Sequence, residues 1–555
     1  MSIKSIIFGK AAVEPPTASG NMIRDNIEAL TVAILMAFLI KQFAFEAFQV
    51  PTESMEPVII GRPTGGDRII VNKFVYQVRD PERWEVVVFH YPSNKQMSYV
   101  KRCVGMPGEW VFIRNGDLYN APGELSHDDA VKAMKIVRKP MSVQDEIFGV
   151  IKCIPTEERE LKTFTSWWED DLSGKGGNFF VQGDEVVFSG SKAAAVARFS
   201  PPFARGKSDR NAVSNIRFDD YGPKADPAAL VKRLLGMSGP AQGTAPSPGF
   251  DEAVTDMRLS FAVKPESASG AALIEIRDGT MAEPLKLVLA VKGGSEKSTL
   301  VHGKTTKAIA CTIESASYTD VVVANFDDQL IVSVDGDEVL RYEYEHAPVP
   351  PPALVVSQSD EKAPFPYAAS ETVSPKDAQA AEMKKYQSGE VPPPAMHKPP
   401  FENGVAFGFT GGNARVKDVD LARDLFYTVH PHGATDFRVP AEAYLCLGDN
   451  SPNSLDGRAF KDSVMVYRDG GKELVLHGDA EAVNEIENVA GDPRPMENPF
   501  DGKTKFLDHL GNCRAIDPKN VVDVKTYFSH FVPRDQIVGR AWFVFWPALK
   551  WGAIR

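Results

Sequence analysis

Residues 84–109 read WEVVVFHYPSNKQMSYVKRCVGMPGE, and their reading sets the fold class. Trp84–His90 and Ser98–Val104 are short runs rich in β-branched and aromatic residues, punctuated by Pro and Gly, which predicts strands. Working outward, Arg68–Val75 (RIIVNKFV) and Trp110–Ile113 read as further strands. Short strands at this spacing predict an antiparallel sheet or barrel. A comparable β-rich block returns near the end, from Tyr444 (YLCLG) to VGRAWFVFWP ending at Pro547. The two blocks read as halves of one domain.

The region between them has its own core pattern. In Met257–Val263 (MRLSFAV) the residues Met257, Leu259, Phe261 and Val263 share one face, the alternation of a half-buried strand. Ala272–Arg277, Leu285–Val291 and Asp320–Phe326 are further candidates. The run LIVSVDGDEVLRY predicts a hairpin whose Asp335-Gly336 turn suits left-handed dihedrals. The closing run GVAFGFTGGNARVKDVDLARDLFYT, ending at Thr428, resembles the last strands of laminin-G or concanavalin-like jelly-roll sandwiches. Met237–Gly249 and the Pro-rich His346–Pro400 are poor in core residues and read as linkers or mobile loops.

The 555-residue length predicts two to four units. A net charge of -12 gives no electrostatic reason to expect nucleic acid as a partner. The five cysteines, Cys103, Cys153, Cys311, Cys446 and Cys513, form no CxxC pair, which argues against a zinc knuckle and leaves the redox compartment open. Near the N-terminus, Ala29–Ile40 (ALTVAILMAFLI) is strongly apolar. A membrane anchor over 27–48 is expected, with Glu28, Lys41, Gln42 and Glu46 near its ends; a buried core helix or a cleaved signal is the alternative. Lys4, Lys10 and Arg24 precede it, so residues 1–26 are expected in the cytoplasm and the remainder outside.

The chemistry concentrates in Phe48–Pro57 (FQVPTESMEP), which places Ser54 just past the apolar segment. A serine nucleophile normally needs a base. His90 is the one histidine close to these signals, and no acid is placed to orient it. Lys101, flanked by apolar residues on a strand, is the better base, because burial disfavours its ammonium form. Lys73 in IIVNKF has a similar local setting, and physics alone does not choose between the two lysines.

The ordered set SMEP (54–57), GDRIIVNKF (66–74), YVKRCVGMPGE (99–109) and LGDNSPNSLDGR (447–458) closely resembles the successive boxes of bacterial type I signal peptidases. The apolar anchor and the terminal VPRDQIVGRAWFVFWP fit the same likeness. It spans roughly 25–120 and 440–550 and leaves the middle outside. The resemblance implies a membrane-bound serine endopeptidase that removes signal peptides after small-x-small (Ala-x-Ala) sites, with Ser54 as nucleophile and Lys101, not Lys73, as general base. It implies an oxyanion role for Thr52 and supporting roles for Ser454, which would orient the lysine amine, and for Asp456 and Arg458 as an ion pair. Val50, Pro51, Met55, Ile59, Tyr99 and Val100 match pocket-lining positions, and the substrate would add as a strand between Gln49–Thr52 and Ser98–Val100. Glu53 and Gly457 depart from the family pattern, where a small residue and a Ser are frequent.

The expected architecture is mainly β. It comprises the anchor, a split antiparallel β-barrel peptidase domain (49–145 and 429–555) and an inserted jelly-roll-like β-sandwich (176–428) carrying the Pro-rich loop 346–400. No metal or organic cofactor is implied, since no ligand spacing such as HExxH occurs. Secretory preproteins and the lipid bilayer are the expected partners, with the translocation machinery a further candidate; the sandwich's ligand is left open. The expected place is the cytoplasmic (inner) membrane, single-pass, with the catalytic domain on its outer face. The rival readings are a membrane-tethered scaffold on an inactive peptidase fold and a regulatory Ser/Lys protease with a dedicated substrate.

Overall fold

The computed structural model of the chain describes residues 22–62, 65–150, 168–170, 178–190, 194–199, 213–214, 253–254, 256–277, 283–345, 356–358, 404–428, 434–451, 454–479 and 503–555. Residues 1–21, the 237–249 linker and nearly all of the Pro-rich 346–400 stretch lie outside the described residues. The helix Met22–Leu39 continues into a wider turn, Ile40–Ala44. Its 19-residue stretch Asn26–Ala44 is long and apolar enough to cross a membrane, and none of it is buried in the protein. The helical stretch stops short of the expected 48. Phe45–Gln49 is instead a strand, because pairing with Arg68–Asn72 satisfies its backbone and the side chains alternate across the ribbon.

The sheet that follows interleaves the two ends of the sequence. Its order is Phe45–Gln49, Arg68–Asn72, Ile537–Trp546, Val86–Tyr91, Asn94–Gly105, Ala443–Leu447 and Phe531–Pro533, with Gly552–Ala553 added beside Ile537–Trp546. Every neighbouring pair is antiparallel. Arg68–Asn72 and Val86–Tyr91 therefore meet only through a strand from the far end of the chain. One face of this sheet packs Val50, Met55, Ile59, Val71, Val86, Val88, Ala541 and Val544. The other packs Val87, Phe89, Tyr91, Cys103, Cys446 and Phe460. Two smaller sheets flank it. One contains Glu109–Arg114 and Asp117–Pro122; the other, built on Lys461–Asp469 and Lys472–Asp479, has five strands that the sequence reading did not separate from the catalytic block.

The middle of the chain forms two facing seven-stranded sheets over one apolar core. Phe407 stands at its centre, with Trp168, Phe261 and Phe188 rings at 4.9, 5.1 and 5.5 Å. Trp168–Asp170 pairs with Ala195–Phe199, so the sandwich begins ahead of the expected 176. The anticipated hairpin turns at Asp335 and Gly336 with φ of 50° and 86°, as a two-residue primed turn requires.

The sandwich is bolted to the sheet domain. On the helix Met141–Val150, Phe148 packs on Phe326 at 5.8 Å, with Ala324, Ile331 and Ala422 around it. Just before that helix, Lys139 Nζ reaches Asp327 at 2.6 Å and Asp424 at 2.9 Å, all three side chains being buried. Burial works against the Lys139 ammonium, but the Asp327 and Asp424 carboxylates outweigh it and hold its pKa well above the ordinary value. Removing one member of such a group strands an uncompensated buried charge. Lys139→Ala should therefore cost about 3–5 kcal/mol, read as an earlier midpoint in a denaturant melt; an unchanged midpoint would mean that the sandwich is not held here.

Candidate active site

Ser54 sits in a one-turn 3-10 helix, Glu53–Met55, entered from extended backbone at Thr52 (φ -118°, ψ 151°). Lys101 lies on the strand Asn94–Gly105. Its Nζ hydrogen-bonds Ser54 Oγ, and the two residues are only 3% and 5% exposed. Lys101 Nζ also stands 5.6 Å from the centroid of the Tyr99 ring, two residues earlier on the same face. Burial is the main force on the amine and lowers its pKa to about 8, against the raising pull of Asp456 and Asp449 and with help from Arg458. Lys73, the other lysine weighed, is paired instead with Glu46 at 3.2 Å. His90 stands opposite Ser98 in the ladder.

The turn that carries Ser54 is clasped by the loop after Ala443–Leu447. Asn450 donates its backbone N–H to Ser54 O at 3.1 Å and its Nδ2 to Glu53 O at 3.1 Å. Gly448 permits this closeness, since a Cβ there would lie 2.4 Å from Ser54 O and 2.1 Å from Ser454 Oγ. Beneath the loop, Arg102 and Asp449 form a bidentate pair at 2.8 and 2.7 Å with both side chains fully buried. Asp449, Asn450 and Arg102 escaped the sequence reading as site-builders. Their only signal was adjacency, Arg102 to Lys101 and Asp449-Asn450 within the last box, because nothing local pairs residues so far apart.

Asp456 and Arg458 meet bidentately at 2.8 and 2.6 Å. Arg458 also donates to Thr428 O and Ser451 O, both at 2.7 Å, and Asp456 accepts the Gly448 N–H at 2.9 Å. Burial alone would raise the Asp456 carboxyl, but Arg458 holds it below its ordinary value. Thr52 Oγ1 lies 3.4 Å from Ser54 Oγ. Ser454 differs from expectation: its buried Oγ has no hydrogen-bond partner among the described residues, while the Lys101 amine is engaged by Ser54.

The expected pocket residues divide. Val50, Met55 and Ile59 are buried in one apolar cluster against which Val100 packs, and Pro51 is exposed. Tyr99 belongs to the opposite face, stacked on Tyr91 at 4.8 Å, because adjacent strand residues point to opposite sides. The two departures from the family pattern also acquire settings. Glu53 forms an ion pair with Arg62 at 2.9 Å. Gly457 lies where a Cβ would meet His530 O at 2.8 Å and Leu445 Cδ1 at 2.7 Å. Among the described residues, one acidic group, Asp117, Asp256 and Asp327, brings its oxygens within 4.8 Å of one another; it belongs to the seam with the sandwich. Because the His530 carbonyl is backbone, Gly457→Ser should destabilise by roughly 1–3 kcal/mol and lower the melting temperature, even though Ser is frequent in the family; an unchanged or higher melting temperature would show that the loop yields.

A family model described as signal peptidase, peptidase S26, matches residues 23–190. Signal peptidase I of Pseudomonas fluorescens is 27% identical over 163 residues, covering 27% of this chain and 55% of the relative. Signal peptidase I P of Bacillus subtilis subsp. natto is 36% identical over 111 residues, covering 20% and 57%. The chain thus spans about half the length of these curated relatives. Among solved structures, the carbohydrate binding module CBM66 from Bacillus subtilis aligns over 46% of this chain and 96% of its own at 8% identity, with a TM-score of 0.22, too low to carry an argument. Signal peptidase I of Bacillus amyloliquefaciens is 30% identical over 136 residues, covering 24% of this chain and 70% of the relative. At that identity over most of a relative's length, the chain belongs to the signal peptidase family, peptidase S26.

Proposed function

We propose that the chain is a membrane-anchored serine endopeptidase that removes signal peptides from secretory preproteins after Ala-x-Ala sites. The observation that carries this reading is the Lys101 amine on the Ser54 hydroxyl, buried enough to bring its pKa to about 8. Ser54 Oγ attacks the scissile carbonyl while neutral Lys101 takes its proton. Lys101 then delivers that proton to the leaving amine, and in the second half it activates the water that releases the acyl group. The Ser54 backbone N–H and the Thr52 hydroxyl would receive the oxyanion charge, which exists only in the transition state.

The edge geometry supports a mode of substrate recognition. The ladder with Ala443–Leu447 engages Arg102, Cys103 and Gly105, downstream of Ser98–Val100, where a peptide would add as a strand facing Gln49–Thr52. Val50, Met55, Ile59 and Val100 supply the crowded apolar wall that admits only small side chains before the scissile bond. The exposed apolar helix supports a single-pass anchor, with the catalytic sheet on the outer face of the cytoplasmic membrane. There the preproteins emerge, and the translocation machinery is the neighbouring candidate partner.

The test is cleavage of a preprotein bearing an Ala-x-Ala site by the detergent-solubilised full chain. Lys101→Ala should lower kcat/KM by about 10²–10⁴-fold, and Ser54→Ala should abolish acyl-enzyme formation. No cleavage by the intact chain across several preproteins would favour an inactive scaffold or a dedicated-substrate protease. The pH profile is a separate check. The base form of Lys101 is required, so kcat/KM should rise with pH through about 8 and level off above it. A profile flat from well below that value would remove Lys101 from the role of base.

A further inference from the structure

Cys103 and Cys446 stand directly opposite each other in the ladder between Asn94–Gly105 and Ala443–Leu447. Both are fully buried thiols in the cluster behind Lys101. Their backbone bonds decide what kind of pair this is. Cys103 accepts the Trp84 N–H at 2.7 Å and donates its own N–H to Glu85 O at 2.8 Å, so both its groups turn away from Ala443–Leu447. Cys446 O accepts the Gly457 N–H at 3.0 Å, also away from the shared ladder. The two cysteines are thus a non-hydrogen-bonded antiparallel pair beside the ladder's irregularity at Leu445/Cys446, the closest kind, whose Cα atoms stand about 4.5 Å apart in a regular ladder. That spacing lies at the near end of the range a disulfide spans, roughly 4.4–6.8 Å.

We infer that Cys103 and Cys446 are a disulfide-forming pair that staples the first half of the split sheet to the second, across the inserted sandwich. The oxidant is a disulfide, either glutathione disulfide or the active-site disulfide of a thiol oxidase. The Cys103 thiolate attacks one sulfur of the oxidant and releases the other as a thiolate. The Cys446 thiolate then attacks Cys103 Sγ, closing the protein disulfide and releasing the second oxidant thiolate. The protein gives up two protons and two electrons, and the oxidant becomes two thiols. Burial pushes the Cys446 thiol well up from its ordinary range and closes it to solvent, so the exchange belongs to folding, before the sheet seals. Once made, the bond shares that protection from reductants. Its position matters for the site, because Cys103 is two residues past Lys101 on the same face, and the Cys446 carbonyl holds Gly457, between Asp456 and Arg458.

The test refolds the full detergent-solubilised chain with glutathione disulfide, alkylates it under denaturing, non-reducing conditions, and maps the digest by mass spectrometry. The expected result is one linked pair of peptides carrying Cys103 and Cys446, two hydrogens lighter than their sum, with Cys513 alkylated. Reduction should then lower the melting temperature by on the order of 10 °C, a shift absent in Cys446→Ala. Recovery of Cys103 and Cys446 as alkylated thiols after this refolding would overturn the inference. So would a linked pair whose reduction leaves the melting temperature where it was.

Discussion

The buried pair between Arg102 and Asp449 is the interaction on which the site depends. Arg102 belongs to the first part of the sheet domain and Asp449 to the second, and both side chains are fully buried at 2.7 Å. Neither charge is tolerable in the interior without the other, so the sheet closes with these two strands in register or it does not close well. That closure removes Lys101 from water and brings the Asp449-Asn450 loop over Ser54. The depressed amine pKa and the fixed turn at Ser54 are thus consequences of one ladder.

The inserted sandwich is joined to the same ladder rather than hung from it. Thr428, at its exit, accepts from Arg458 through its carbonyl and donates its own N–H to Ser451 Oγ at 2.8 Å. Arg458 in turn holds Asp456, which supports Gly448 and the loop on Ser54. On the entry side, Lys139 and Phe148 fix the helix Met141–Val150 against the sandwich. An insertion anchored at both ends lets a chain carry a large extra domain between the parts of one sheet without loosening the strands it separates.

Charge is handled in two ways in this molecule. Where ions are structural, as at Lys139 or Asp456, carboxylate and cation are paired closely enough to defeat the cost of burial. At Lys101 the carboxylates of Asp456 and Asp449 are near but not in contact, Arg458 screens them, and burial wins. The difference between a lysine whose pKa rises and one whose pKa falls comes down to whether a carboxylate reaches hydrogen-bond distance.

Much of this was legible in the sequence. The apolar run after Asn26, the strands around Lys101 and the Asp335-Gly336 hairpin follow from local chemistry, because period and turn residues act over a few positions. The four boxes singled out Ser54 and Lys101 as candidates, and the structure brings these two side chains together. What sequence alone left undecided was every choice that depends on residues hundreds of positions apart. Lys101 and Lys73 have like neighbours along the chain; only the fold buries one and pairs the other with Glu46. Ser454 matches a family position, yet in the fold its buried hydroxyl makes no hydrogen bond to the amine. The strand Ile537–Trp546 reads as a strand anywhere, but its place between Arg68–Asn72 and Val86–Tyr91 is set by sheet closure. Local sequence determined which segments become strands and which side chains stand as candidates for the chemistry; tertiary structure decided which of them meet, because burial and charge pairing are properties of the assembled interior and not of any segment.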